Sequence, residues 1–245
     1  MTLLIDADWL IYSACCACEQ DIRWDRDIHT LHLDEADALQ LIEDRVAQYQ
    51  IMAAVRGPIV MCFSEYPTFR HNIYQDYKVN RIGKRKPLGL RNVREEVAKS
   101  FNIVSFDNLE GDDVMALLAT GDRYESPIIV SPDKDMKGVP CKLLANDTIE
   151  VITAARANRH WMKQALTGDK TDNIEGLPGV GPKTAEKILG DAESLDEMWD
   201  KVVATYEKKK KTYADALLAA RLTRSLLEGE YNYVTGEVKL WEPAL

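Results

Sequence analysis

Long uncharged runs, histidines, paired cysteines and repeats are all scarce in this 245-residue chain, and each scarcity excludes something. The longest uncharged run near the N-terminus, Trp9 to Cys18, is too short to span a bilayer, so no membrane partner is expected. Asp6 and Asp8 stand where a secretion signal needs a basic and then an apolar region, which argues for a cytoplasmic protein. Of five cysteines, three crowd at Cys15, Cys16 and Cys18, which is neither a disulfide framework nor a zinc-ligand spacing. The four histidines, His29, His32, His71 and His160, are too scattered for a histidine-based metal site. No long stretch lacks apolar residues, so the chain is not disordered, and its apolar fraction of 46% can fill the core of one large domain with an appendage.

The net charge of -9 is a sum that hides a segregated distribution. Arg70, Lys78, Arg81, Lys84, Arg85, Lys86, Arg91 and Arg94 face the single acid Asp76, and Lys208 to Lys211 form a second basic run. Separate basic and acidic patches suit a polyanion on one and metal ions on the other.

Apolar runs at Thr2 to Asp6, Ile59 to Phe63, Asn102 to Phe106 and Pro127 to Ser131 read as buried strands. Helical spacing follows from Trp9, over Leu33 to Val55, over Val93 to Lys99 and from about Glu110. Lys142 to Ile152 reads as a hairpin turning at Asn146-Asp147, and from Arg156 the pattern is helical apart from Gly176 to Gly181. The expected fold is α/β: a mainly parallel central sheet flanked by helices, residues 1–155, followed by a C-terminal helical subdomain, residues 156–245.

The acids cluster where such a fold collects ligands. Asp6 and Asp8 end the first strand, Glu110, Asp112 and Asp113 open a helix, Asp133 and Asp135 follow the fourth strand, and Asp169 and Asp172 follow a helix. Each cluster alone is ordinary capping or turn chemistry. Together in one cleft they would repel strongly unless cations intervened, and an all-oxygen donor set selects Mg²⁺ or Mn²⁺. Two such ions form the usual device for hydrolysing a phosphodiester.

Gly176 to Ala185 (GLPGVGPKTA) is the most specific segment. Gly179 and Gly181 permit a sharp turn, Pro182 suits a helix start, and the free N–H groups there form an anion site sized for a phosphate. The spacing is not that of a mononucleotide P-loop, because Pro182 intervenes before Lys183-Thr184.

Gly168 to Leu189 (GDKTDNIEGLPGVGPKTAEKIL) resembles the signature of the 5′-nuclease (flap endonuclease) family. Leu3 to Trp9 (LLIDADW), Leu109 to Ala119 (LEGDDVMALLA) and Val130 to Asp135 (VSPDKD) resemble its other metal motifs in order, and Phe69 to His71 with Tyr77 to Arg81 its basic segment. The wording is most similar to the 5′-to-3′ exonucleases of T-odd bacteriophages. The resemblance implies a PIN-like 5′-nuclease fold with a helix–three-turn–helix at residues 169–190 and a basic arch at residues 70–94. It implies an Mg²⁺-dependent 5′-to-3′ exonuclease and flap endonuclease with RNase H-like activity, two metal ions (Mn²⁺ substituting), and a role in phage DNA replication or degradation. Its substrates would be DNA with 5′ ends or flaps and RNA–DNA hybrids.

By the same resemblance Asp6, Glu110, Asp112 and Asp113 serve the first ion, and Asp133, Asp135, Asp169 and Asp172 the second. Asp6 and Asp113 count as catalytic, with Lys78 at the scissile phosphate helped by Arg70. Tyr77 stacks on a base, and Arg81, Lys84, Arg85, Lys86, Gly179, Gly181, Lys183 and Thr184 hold DNA, with K⁺ on the glycine-loop carbonyls. The family's usual Asp after the second strand is absent from Phe63-Ser64-Glu65, with Glu65 its candidate replacement, and Asp8 is expected to cap a helix. Two rival readings are a haloacid-dehalogenase-type phosphatase on Asp6-Ala7-Asp8, which leaves most of the acids idle, and a non-catalytic duplex DNA-binding module.

Overall fold

The computed structural model describes residues 1–244. A six-stranded sheet runs in the order β5-β4-β1-β6-β7-β8, with β1 Thr2–Asp6, β4 Ile59–Cys62, β5 Asn102–Val104, β6 Pro127–Val130, β7 Lys142–Ala145 and β8 Thr148–Val151. Every pairing is parallel except β7 with β8. The central strand β1 is buried along its whole length, because helices cover both faces and an uninterrupted apolar run is then stable.

Alternate residues face opposite layers. Leu3, Ile5, Met61 and Val130 join one core with α1 Ala7–Cys18, α2 Glu35–Met52 and α4 Leu90–Ser100. Leu4, Val60, Cys62 and Ile129 join another with α5 Gly111–Thr120. A third core, built on Trp161, Leu166, Leu189, Trp199 and Val202, holds together α6 Ala154–Thr167, α7 Pro182–Leu189, α8 Leu195–Lys208 and α9 Tyr213–Leu222. Between α6 and α7 lies a short antiparallel pair, β9 Gly168–Asp169 and β10 Ile174–Glu175. No helix among the described residues is long and apolar enough to cross a membrane.

Three sequence expectations change. Residues 223–244 are not helical: Leu226 and Tyr231 return to the second core, Tyr231 bridges Val238, and Trp241 packs edge-on to Trp161 and Trp199, so the tail joins the α/β unit to the helical one. A hairpin of β2 Gln20–Asp25 and β3 Ile28–His32, pairing only with each other among the described residues, follows α1. The expected arch is the short helix α3 Phe69–Ile73, a single 3-10 turn over Val79–Arg81 and a loop leading into α4. That loop is pinned, because Glu19 accepts from Arg85 Nη1 at 2.8 Å and from the Leu88 N–H at 2.9 Å.

Candidate active site

The carboxyl ends of the parallel strands carry a connected set of acids. Asp6 closes β1 and accepts from the Trp9 N–H at 3.0 Å, so Asp6 caps α1. Asp8, the expected cap, instead accepts from the Ser64 N–H at 2.8 Å and from Arg94 at 3.1 Å, tying α1 to the end of β4 and to α4. Ser64 occupies the place where the resemblance called for an acid, and its hydroxyl accepts from the Gly111 N–H at 2.9 Å. A Cβ at Gly111 would meet the Cys62 carbonyl at 3.2 Å, so only glycine lets α5 start this close to β4.

Across the sheet, Ser131 donates to Asp6 Oδ2 at 3.0 Å and accepts from the Asp133 N–H at 3.1 Å. Asp133 caps the 3-10 turn Lys134–Gly138, accepting from the Asp135 N–H at 2.8 Å. Burial raises the Asp6 carboxyl to about 6, with the charges of Asp8 and Asp133 adding to it. Burial pushes Asp112 well above the usual carboxylate range, helped by Asp6, Asp133 and Glu110. Asp135 rises to about 6, through burial and then the charges of Asp133, Asp169 and Asp172. These acids repel one another, as the sequence argument required.

Lysine and arginine cations stand between carboxylates here. Lys78 Nζ lies 2.6 Å from Glu110 and 3.5 Å from Asp172, while Lys134 Nζ lies 2.8 Å from Asp169 and 3.4 Å from Asp135. Arg81 also pairs with Asp172. Lys134 pulls Asp169 below its ordinary range against the opposing effect of burial. Among the described residues no three acidic, histidine or cysteine side chains close around one ligating point.

The glycine loop turns at Gly179, whose φ is +77°, and Gly181 precedes Pro182 at the first position of α7. Leu177 and Val180 anchor the loop in the helical core, while Lys183 and Thr184 are exposed. A Cβ at Gly179 would stand 3.9 Å from Lys209 Nζ, which brings the second lysine run over this turn.

Two family models divide the chain between them. Residues 1–170 match "5'-3' exonuclease, N-terminal resolvase-like domain" and residues 158–235 match "5'-3' exonuclease, C-terminal SAM fold". The chain belongs to the 5′-3′ exonuclease family. It is 29% identical to the exodeoxyribonuclease of Enterobacteria phage T3, over 98% of this chain and 92% of that protein. It is equally 29% identical to the exonuclease of Escherichia phage T7, over 98% and 93%. The T5 D15 protein co-crystallised with metal ions shares the fold with a TM-score of 0.62 at 16% identity, covering 91% of this chain and 87% of that one. The T5 D15 flap endonuclease complex with DNA and metal ions gives 0.61 at 15% identity, over 91% and 87%. The chain is therefore a nuclease, and the phosphatase and non-catalytic readings fall away.

Within this 5′-3′ exonuclease, three of the residues given roles by the resemblance are buried with their polar atoms engaged. The Tyr77 ring is 2% exposed, and its hydroxyl donates to Glu110 at 2.9 Å and to Asp172 at 3.0 Å, so it is shut off from any base. The exposed aromatic nearby is Tyr66, which packs edge-on to His71. Asp113 is wholly buried, with Oδ2 on Arg70 Nη1 at 2.5 Å and Oδ1 on Arg70 Nη2 at 2.9 Å and on the Leu226 N–H at 3.1 Å. Both of its oxygens are engaged by these donors. Arg70 is likewise engaged, on Asp113 and on the Leu222 and Arg224 carbonyls.

Of the remaining predicted residues, Lys84, Arg85 and Lys86 are exposed on the loop, with Arg85 held by Glu19. Sequence reasoning missed Ser64, Ser131, Lys134 and Gln164. Only Lys134, set between two acids, carried a readable signal.

The half-buried His160, on α6, has a ring Nε2 without a hydrogen-bond partner. Burial lowers it from 6.5 to about 4, reinforced by Lys163, Lys134 and Lys137. The unfolded chain therefore takes up this proton first, and stability falls as pH drops through the window from 6.5 to about 4. His160→Gln is expected to remove on the order of 1 kcal/mol of this acid sensitivity, discounted for partial exposure. Melting temperatures of both proteins from pH 4 to 8 check it, and parallel curves would refute it.

Proposed function

We propose that this nuclease degrades duplex DNA from its 5′ ends by hydrolysing phosphodiesters with two divalent cations, leaving 5′-phosphate and 3′-hydroxyl products. The observation that carries the reading is the convergence of mutually repelling carboxylates at the carboxyl edge of the parallel sheet, with Lys78 among them. The oxygen-only donor set and the raised Asp6, Asp112 and Asp135 fit Mg²⁺ or Mn²⁺, since a cation relieves the repulsion that burial amplifies. Asp6, Asp112 and Asp133 would hold one ion, and Asp135, Asp169 and Asp172 the other. Bound there, the ions acidify a water and offset the charge on phosphate oxygens.

The chain's own groups do the rest. The Lys78 ammonium, 13% exposed beside Glu110 and Asp172, is a cation available to an incoming phosphate. N–H groups at the start of α7 grip the duplex backbone without reading bases, with Lys183, Thr184 and Lys209 alongside and K⁺ on the loop carbonyls. Arg81, Lys84 and Lys86 steer the 5′-ended strand over the sheet edge, where Tyr66 is placed to stack on a frayed base. The α/β unit supplies most of the carboxylates, and the helical subdomain adds Asp169 and Asp172 and holds the duplex. Flaps and RNA–DNA hybrids present the same 5′-ended backbone and are further substrates, as phage DNA replication or degradation in the host cytoplasm would require.

Digestion of a 5′-labelled blunt duplex beside a matched 5′-flap substrate, with Mg²⁺ and with EDTA, tests this. Mononucleotides or short oligonucleotides leaving the blunt 5′ end only with Mg²⁺ are expected. Cleavage confined to the flap junction would replace exonuclease by flap endonuclease action, and cleavage in EDTA would refute the metal assignment.

A further inference from the structure

Gln164 is a polar side chain in the middle of α6, surrounded in sequence by Trp161, Met162, Ala165 and Leu166, which fill the helical core. It is 7% exposed and points across to the 3-10 turn of the α/β unit, where its Nε2 donates to Asp135 Oδ1 at 2.5 Å. Its Oε1 is buried with no hydrogen-bond partner. An apolar residue here would spare the fold an unsatisfied carbonyl, whose burial costs free energy. Reversing the amide would set its oxygen against a carboxylate oxygen, so the bond to Asp135 fixes which end stays unpaired.

The same bond fixes Asp135. Gln164 and, at 3.4 Å, Lys134 both engage Oδ1, leaving Oδ2 without a hydrogen-bond partner among the described residues. We propose that Gln164 is a positioning residue for divalent-cation binding: it holds the Asp135 carboxylate by Oδ1 and so leaves Oδ2 free for the cation. This deepens the functional reading above and rests on Asp135 belonging to the metal site. Groups that orient a metal-binding carboxylate are felt in metal affinity.

The test is a double-mutant cycle read by Mn²⁺ binding, with free ion followed by electron paramagnetic resonance, on full-length protein without DNA. Gln164→Leu is expected to weaken one Mn²⁺ site by roughly 10- to 100-fold. Asp135→Asn is expected to weaken that site by a larger but still measurable factor, and Gln164→Leu added to Asp135→Asn to cause no further loss. The melting temperature of metal-free Gln164→Leu is expected to be no lower than that of the parent, because the lost polar atoms include one that was never satisfied. Unchanged Mn²⁺ affinity in Gln164→Leu, or an equal loss in both backgrounds, overturns the positioning role. Asp135→Asn binding Mn²⁺ as the parent does overturns the metal assignment beneath it, a result the single variant distinguishes.

Discussion

Arg70→Met is expected to destabilise the protein by about 3–5 kcal/mol, the cost of leaving a buried charge without its partner. Arg70 is 5% exposed, and its guanidinium makes two bonds to Asp113 and bonds to the Leu222 and Arg224 carbonyls at 2.9 and 2.6 Å. Those carbonyls lie where α9 ends and the tail begins, so one side chain ties α3, α5 and the helical subdomain together. Arg70→Lys is not expected to rescue it, because an ammonium cannot reproduce a two-pronged bond and two carbonyl contacts at once. Arg70→Met combined with Asp113→Leu is expected to recover a large part of the loss, since no charge is then stranded. Urea-unfolding midpoints measure all three variants. If Arg70→Met unfolds at the parent's midpoint yet cleaves DNA far more slowly, Arg70 is a substrate ligand after all.

The readable and unreadable parts of this molecule divide along physical lines. Strands β1, β4 and β6 are covered on both faces, so they appear as plain apolar runs. Asp6, Asp112 and Asp133 drew notice because strand ends and the helix starts after them are where ligands collect in such sheets. The β2–β3 hairpin was not: it packs on no sheet, its residues are largely exposed, and nothing in Gln20 to His32 demanded a period of two. The tail was missed because tertiary contacts make it, with Tyr231 and Tyr233 clustering on Phe106 across more than half the chain.

Burial sets what several of the resemblance's residues touch. Tyr77, Arg70 and Asp113 have the right chemistry and lie near the acids, but each is shut away with its polar atoms taken. Spacing along a chain carries no information about which partner a side chain finds. Gln164 shows the converse: a glutamine on an apolar helix face looks like a small packing error until its partner, Asp135, is seen.

Asp112→Asn is expected to stabilise the metal-free protein while abolishing most of its activity. Asp112 is the second residue of α5, where the helix dipole welcomes an acid, yet burial and the charges of Asp6, Asp133 and Glu110 raise its carboxyl well above the usual range. No hydrogen bond holds the side chain among the described residues, so an amide of the same shape removes the charge and little else. The folded protein keeps the Asp112 proton to higher pH than the unfolded chain does. Stability is therefore lost as pH rises from 3.8 through the folded-state value, and the asparagine variant escapes that loss. In EDTA its melting temperature is expected to match the parent's in acid and to exceed it at neutral pH. Cleavage in saturating Mg²⁺ is expected to drop by about 10²- to 10³-fold, as losing one charged group at a phosphoryl site does. A variant that melts higher and no longer cuts identifies Asp112 as a carboxylate kept for chemistry against the interest of the fold. A variant that cuts at the parent's rate removes Asp112 from the site, whatever its stability.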